Sequence, residues 1–162
     1  MKSNSTNASD KIMTEQQVQD TLYKSWVPTS HVMTIPNCKA LGIKGEADLI
    51  SVTKSLFVHE IEIKITKRDF LADFKNKTRK HRLIQEAHDS EPKSYNIPAN
   101  YFWFATPFDI NPPEYAGHIQ VNENGVEIIK KAPRIHNQKA NERVLRYIAR
   151  GINLRYWNTR IS

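Results

Sequence analysis

Apolar residues recur at helical spacing in some stretches of this chain and alternate with polar ones in others, and the switches between the two patterns mark its elements. Thr14 with Gln17 three residues later makes a capping box, and Val18, Leu22 and Trp26 then recur at four-residue spacing. This predicts an amphipathic helix that ends before Pro28. Residues 32–35 read as a short strand closed by Pro36-Asn37. Two further strand-like runs, 49–52 and 56–63, are joined by Thr53-Lys54-Ser55 and predict an antiparallel hairpin. Thr66 with Asp69 gives a second capping signal, and one helix is expected from there to about residue 87. Its apolar side carries Phe70, Leu71, Phe74, His81 and Ile84. A polar loop over 89–98 leads to 101–106, a run dense in aromatics and bounded by Pro107, which reads as a buried strand. After the Asn111-Pro112-Pro113 loop, 118–121 and 126–129 flank Asn122-Glu123-Asn124-Gly125, whose Asn-Gly pair signals a hairpin. The last helix is expected over 138–153, with Val144, Leu145, Ile148 and Ile152 inward. No internal repeat is present. The fold class that follows is α/β (α+β), a single mixed β-sheet flanked by helices.

Composition sharpens the picture in three places. Residues 1–10 are rich in Ser and Asn and are expected to form a disordered polar tail, leaving 11–162 as a single domain. A net charge of +7 favours a polyanionic partner, either nucleic acid or an anionic membrane surface. The lone Cys38 excludes an internal disulfide framework and suits a reducing, cytoplasmic interior, where it would serve as a small buried hydrophobe. No run is long and apolar enough for a membrane span, no charged-then-apolar leader opens the chain, and no ligand spacing suggests structural zinc.

The chemistry concentrates in the first hairpin, where acids stand at positions a strand would normally fill with apolar residues. Side chains alternate faces along a strand, so Val58, Glu60, Glu62 and Lys64 share one face, while Phe57, His59, Ile61 and Ile63 share the other. On the preceding run Asp48, Ile50 and Val52 share a face. In the right register Asp48 lies beside Glu62 and Lys64. Two carboxylates and an ammonium on a half-buried sheet are costly unless they pair or coordinate a cation. A hard divalent metal satisfies the acids, and a neighbouring lysine can orient a water or steady negative charge.

Asp48 followed by Glu62-Ile63-Lys64 resembles the signature of the PD-(D/E)xK nuclease superfamily, with Ala47 where that signature usually has proline. The succession continues through Ile65-Thr66-Lys67-Arg68-Asp69-Phe70-Leu71-Ala72-Asp73, Tyr101-Phe102-Trp103-Phe104 and Pro113-Glu114-Tyr115-Ala116-Gly117. It is similar to the small MmcB-type DNA-repair endonucleases and related phage proteins, from the first helix to about residue 131. The resemblance implies a restriction-endonuclease-like core that hydrolyses DNA phosphodiesters. Asp48, Glu62 and Lys64 would be catalytic, with Mg²⁺ or Mn²⁺ held by Asp48, Glu62 and the backbone carbonyl of Ile63. Such proteins often take a further metal ligand from the first helix, and Glu15 is the candidate; alternatively it is an ordinary first-turn glutamate facing the helix dipole. Glu60 either joins the site or sits at the sheet edge in water.

Two basic sets are candidates for the DNA backbone. The first is Lys67, Arg68, Lys75, Lys77, Arg79 and Lys80 on the long helix after the motif, with Asp69 and Asp73 capping and bracing it. The second is Lys130, Lys131 and Arg134, then Arg143, Arg146 and Arg150 along one stripe of the last helix. The first set reads as backbone contact in preference to a solvated helix face, whereas the second fits a soluble helix exterior equally well. His81 is expected to be structural, and Tyr101, Trp103 and Phe104 to be core. Two rivals to the nuclease stand: a catalytically silent nucleic-acid-binding module on the same fold, and a factor whose basic face meets an acidic protein. A homodimer and a recruiting partner protein are both compatible with this chain.

Overall fold

The computed structural model describes residues 12–26, 30–39, 41–91, 93 and 97–162. The expected tail over 1–10 and the helix stop at Pro28 lie outside the described residues. Six strands form a single mixed sheet in sequence order: β1 (His31–Cys38), β2 (Ala47–Thr53), β3 (Val58–Ile63), β4 (Tyr101–Thr106), β5 (Ala116–Asn122) and β6 (Gly125–Lys130). β1, β2 and β3 run antiparallel, β3, β4 and β5 parallel, and β5 and β6 close the sheet as an antiparallel hairpin. Four helices flank the sheet among the described residues: α1 (Glu15–Ser25), α2 (Lys67–Asn76), α3 (Thr78–Asp89) and α4 (Glu142–Ile161). None is long and apolar enough to cross a membrane.

The period-two pattern of the strands divides the core in two. Ile50, Val52, Val58, Phe102 and Phe104 pack with Phe70 and Ile84 of α2 and α3 and with Ile148 of α4. Leu49, Ile61, Ile63 and Trp103 pack on the other face with Val18 and Leu22 of α1. Trp103 and Phe104 are buried and belong to the core as expected, whereas Tyr101 is half-buried at its margin, with its hydroxyl accepting from Arg134.

Several element boundaries differ from the sequence pattern. β1 is not closed by Pro36-Asn37 but pairs through them to Cys38, opposite Ala47. The single helix expected to residue 87 is two, broken at Lys77, whose backbone (φ −117°, ψ 36°) leaves the helical region. Leu71, expected on its apolar side, is 64% exposed. The run from residue 56 enters the strand only at Val58, because Leu56 turns through a left-handed φ of 66°. The last helix starts at Glu142, not 138. Residues before it are bound instead to the body: Ala140 N–H donates to Leu56 O and buried Asn100 donates to Gln138 O, both at 2.8 Å. Asn141 then caps the helix through Val144 N–H. At its far end α4 runs on to Ile161, and Ile152 is 42% exposed rather than inward.

Candidate active site

The site forms where β2 begins and β3 ends. Leu49 faces Ile61 and Ile50 faces Glu60 across the two strands, so continuing the register by one pair sets Asp48 opposite Glu62. Asp48 Oδ2 accepts a hydrogen bond from Ile63 N–H at 2.6 Å. Lys64 follows directly after β3, where its backbone N–H donates to Ala105 O of β4 at 3.0 Å. α1 reaches the same end of the sheet. Gln19 Nε2 donates to the Asp48 carbonyl at 2.8 Å and to Asn37 Oδ1 at 3.3 Å. Glu15 stands one helical turn before Gln19, and its charge is felt at Asp48.

Behind Asp48 lies a buried ionic cluster. Lys64 Nζ is 2.8 Å from Glu62 Oε1 and 2.7 Å from Asp73 Oδ1. Lys80 Nζ is 2.6 Å from Glu60 Oε1 and 2.8 Å from Glu62 Oε2. Lys77 Nζ also contacts Glu62 Oε1 and lies 3.4 Å from Asp73 Oδ1. His81 Nε2 bonds Asp73 Oδ2 at 2.7 Å and its Nδ1 bonds Tyr115 Oη at 2.9 Å. Asp73 can only accept while ionised, so a neutral His81 donates from Nε2 and accepts from the tyrosine. Glu60 Oε2 also accepts from Ile43 N–H at 3.1 Å. Phe70 and Asp73 lie one turn apart on the buried face of α2, Lys77 stands at the break, and Lys80 and His81 turn inward from the start of α3.

The electrostatics split the site into two parts. Three acids (Glu60, Glu62, Asp73) and three lysines (Lys64, Lys77, Lys80) lie in ion-pair contact inside the cluster, though burial still pushes the Glu60 carboxyl up against the pull of Lys80 and the Ile43 N–H. Burial works against the charged form of Glu62, but Lys80, Lys64 and Lys77 outweigh it and hold the carboxyl below its usual range. Burial likewise opposes the Asp73 carboxylate, and the hydrogen bonds from His81 and Lys64 overcome it. Asp48 is the contrast. Burial and the Glu62 carboxylate push it up to about 6, with Glu15 adding to the rise and the Ile63 N–H and the Lys64 charge opposing it. Neither Asp48 nor Glu15 has an ammonium or guanidinium within ion-pair distance among the described residues.

Asp48, Glu15 and Glu62 are hard oxygen donors of the kind Mg²⁺ and Mn²⁺ take. Asp48 fits such an ion best, as a half-buried carboxylate that burial and Glu62 push up and that has no ion-pair partner among the described residues. Glu62 fits once it yields an oxygen now held by lysine. Among the described residues no three His, Cys, Asp or Glu side chains converge closely enough to hold a metal ion as they stand.

The raised Asp48 has a consequence for stability. The carboxyl titrates near 3.9 in an unfolded chain and at about 6 here, so between those values the folded protein holds the extra proton. Stability from this group is therefore greatest at low pH and falls as pH rises from about 4 to about 6. Asp48→Asn removes the effect. In urea titrations from pH 4 to 7 the variant is expected to gain on the wild type by about 1–2 kcal/mol, a figure reduced for solvent screening. A difference that stays constant over the window would show that Asp48 carries no such shift.

The other predicted residues separate by exposure. Lys67, Arg68, Lys75, Arg79, Lys131, Arg134, Arg143, Arg146 and Arg150 are all exposed. Arg134 lies over the Phe57 ring and bonds Tyr101 Oη, and Arg146 pairs with Glu142. Lys130 is half-buried, and its ammonium bonds Pro113 O at 2.7 Å. Lys80 corrects the sequence reading. At 4% exposure it cannot reach a backbone phosphate, because its ammonium is the counter-charge of Glu60 and Glu62. Glu60 is fully buried rather than at a wet edge, and Asp73, read as a helix brace, is the acid partner of Lys64. The missed signal was Asp73, three residues after Phe70 on the same face of α2; the burial of Lys80 beyond the break had none.

No family model matches the chain, and no curated protein does. Among solved structures it is similar to the SPO1766 protein of unknown function from Silicibacter pomeroyi, with a TM-score of 0.65 and 16% identity over 93% of each chain. That likeness shows a shared α+β fold.

Proposed function

We propose that this chain is a metal-dependent DNA endonuclease of the PD-(D/E)xK type, with Asp48, Glu62 and Lys64 at its centre. The observation that carries the reading is Asp48: a half-buried carboxylate opposite Glu62, bonded by Ile63 N–H and with no ion-pair partner among the described residues. Asp48, Glu62, the Ile63 carbonyl and Glu15 would hold Mg²⁺ or Mn²⁺. When bound, the ion supplies Lewis acidity to the scissile phosphate and lowers the pKa of an attacking water. Lys64 stays protonated, since Glu62 and Asp73 outweigh the cost of its burial. Its ammonium would donate to a water or to a phosphate oxygen beside Glu62. Asp73 fixes Lys64 at 2.7 Å, and His81 with Tyr115 fixes Asp73 in turn. Exposed Lys67, Arg68, Lys75 and Arg79 near the site, and Arg143, Arg146 and Arg150 on α4, would hold the DNA backbone by phosphate contacts without reading sequence.

One observation favours a second reading, a silent nucleic-acid-binding module. Glu62 already has an ammonium on each of its oxygens, so the acid pair is partly neutralised without a metal. Incubation of the protein with single-stranded, duplex and branched DNA in Mg²⁺, Mn²⁺ and EDTA, with binding followed by anisotropy, separates the two. Cutting that needs the divalent ion supports the nuclease. Retention of DNA without cutting in any lane supports the binding module.

A further inference from the structure

Three lysines surround one carboxylate, and they are not equivalent. Lys80 spans Glu60 and Glu62, and its side chain is only 5% exposed. Lys64 spans Glu62 and Asp73 at 2.8 and 2.7 Å, with 12% exposed. Lys77 sits at the break between α2 and α3, 35% exposed, and shares Glu62 Oε1 with Lys64. Its second acid, Asp73, is 3.4 Å away and is already held by Lys64 and His81. Two of the ammoniums are therefore locked by two good partners each. The third is tied mainly to Glu62 and has solvent beside it.

We propose that Lys77 is a resident counter-ion that occupies the Glu62 carboxylate and must leave it for a divalent cation to bind there. This deepens the nuclease reading and rests on it. Two cationic ligands competing for one carboxylate oxygen are linked, so each weakens the other's binding by the same factor. Lys77 can leave at low cost. Its stem is already half in water, Asp73 lies within reach, and Glu62 keeps Lys64 and Lys80. The released ammonium stays at the mouth of the site, where the phosphate of a bound strand gives it a new anion. Metal and DNA phosphate would then favour each other, one taking Glu62 and the other taking Lys77. Lys77 acts through Glu62 and is a positioning residue.

The test is a Mn²⁺ titration without DNA, read by calorimetry and by the loss of the free-ion paramagnetic signal. It compares wild type, Lys77→Met, Lys77→Arg and Asp48→Asn. Lys77→Met is expected to bind Mn²⁺ about tenfold more tightly than wild type, within the usual range for two ligands sharing a site. Lys77→Arg, which keeps the charge, should stay close to wild type. A lysine needed only for structure predicts the opposite, weaker binding in both variants. Equal or weaker binding by Lys77→Met, while Asp48→Asn still abolishes binding, overturns the role of Lys77 and leaves the nuclease reading intact. Absence of Mn²⁺ binding in every protein overturns both. Unfolding curves of each variant exclude misfolding as the cause, and Lys77→Gln serves in place of Lys77→Met if the latter fails to fold.

Discussion

Lys80→Met is expected to lower the free energy of unfolding by about 3–5 kcal/mol, the usual cost of breaking a buried ion pair from one side. Natural domains hold only about 5–15 kcal/mol in total, so the variant should be close to unfolding. Glu62 keeps Lys64 and Lys77 after the change, but Glu60 keeps only the Ile43 N–H. The uncompensated acid is therefore Glu60, fully buried and already pushed up by that burial with Lys80 in place. Adding Glu60→Gln removes it while preserving a carbonyl oxygen for Ile43, and the double variant should recover a large part of the loss. Urea titration at pH 7 of wild type, both single variants and the double variant measures this coupling. A Lys80→Met cost below about 1 kcal/mol, the range of exposed pairs, would show that the lysine is not the buried counter-charge described above.

The same lysine marks how far this fold could be read from its sequence. The strands were legible, since alternating residues on β2 and β3 have to face two different cores, and Asp48 opposite Glu62 follows from that alternation. The second hairpin was legible too, because Gly125 takes a φ of 144° in the turn that Asn-Gly announces. The helices after β3 were harder. Lys77 and Lys80 look like solvated charge when taken singly, and only the sheet beneath them, carrying Glu60 and Glu62, makes burial favourable. That compensation is a tertiary fact, and so is the helix break at Lys77. Glu15 was legible as a first-turn acid, whereas its nearness to Asp48 depends on how α1 lies on the sheet, with Gln19 reaching the Asp48 carbonyl. The start of α4 is similar, because Asn100 and Leu56, distant in sequence, hold the residues before Asn141 out of the helix.

Asp48→Asn is expected to reduce DNA cleavage by at least about a thousandfold, since the metal-linked part of the barrier is several kcal/mol and each 1.4 kcal/mol is tenfold. The substitution keeps the shape of the side chain, and an amide oxygen can still accept from Ile63 N–H. It removes the charge that would hold the ion. DNA affinity in EDTA should be unchanged, because on the proposed reading the phosphate contacts would come from the exposed lysines and arginines. The protein should also be more stable than wild type above pH 6, so lost cutting cannot be ascribed to unfolding. Single-turnover cleavage of a bound DNA by wild type and Asp48→Asn, each in Mg²⁺ and in EDTA, is the measurement that bears most directly on the site. Cutting by wild type in Mg²⁺ alone, with the variant binding equally and cutting at least about a thousandfold more slowly, is the predicted result. Equal rates for the two proteins, or DNA bound and left intact by the wild type in Mg²⁺, would contradict it.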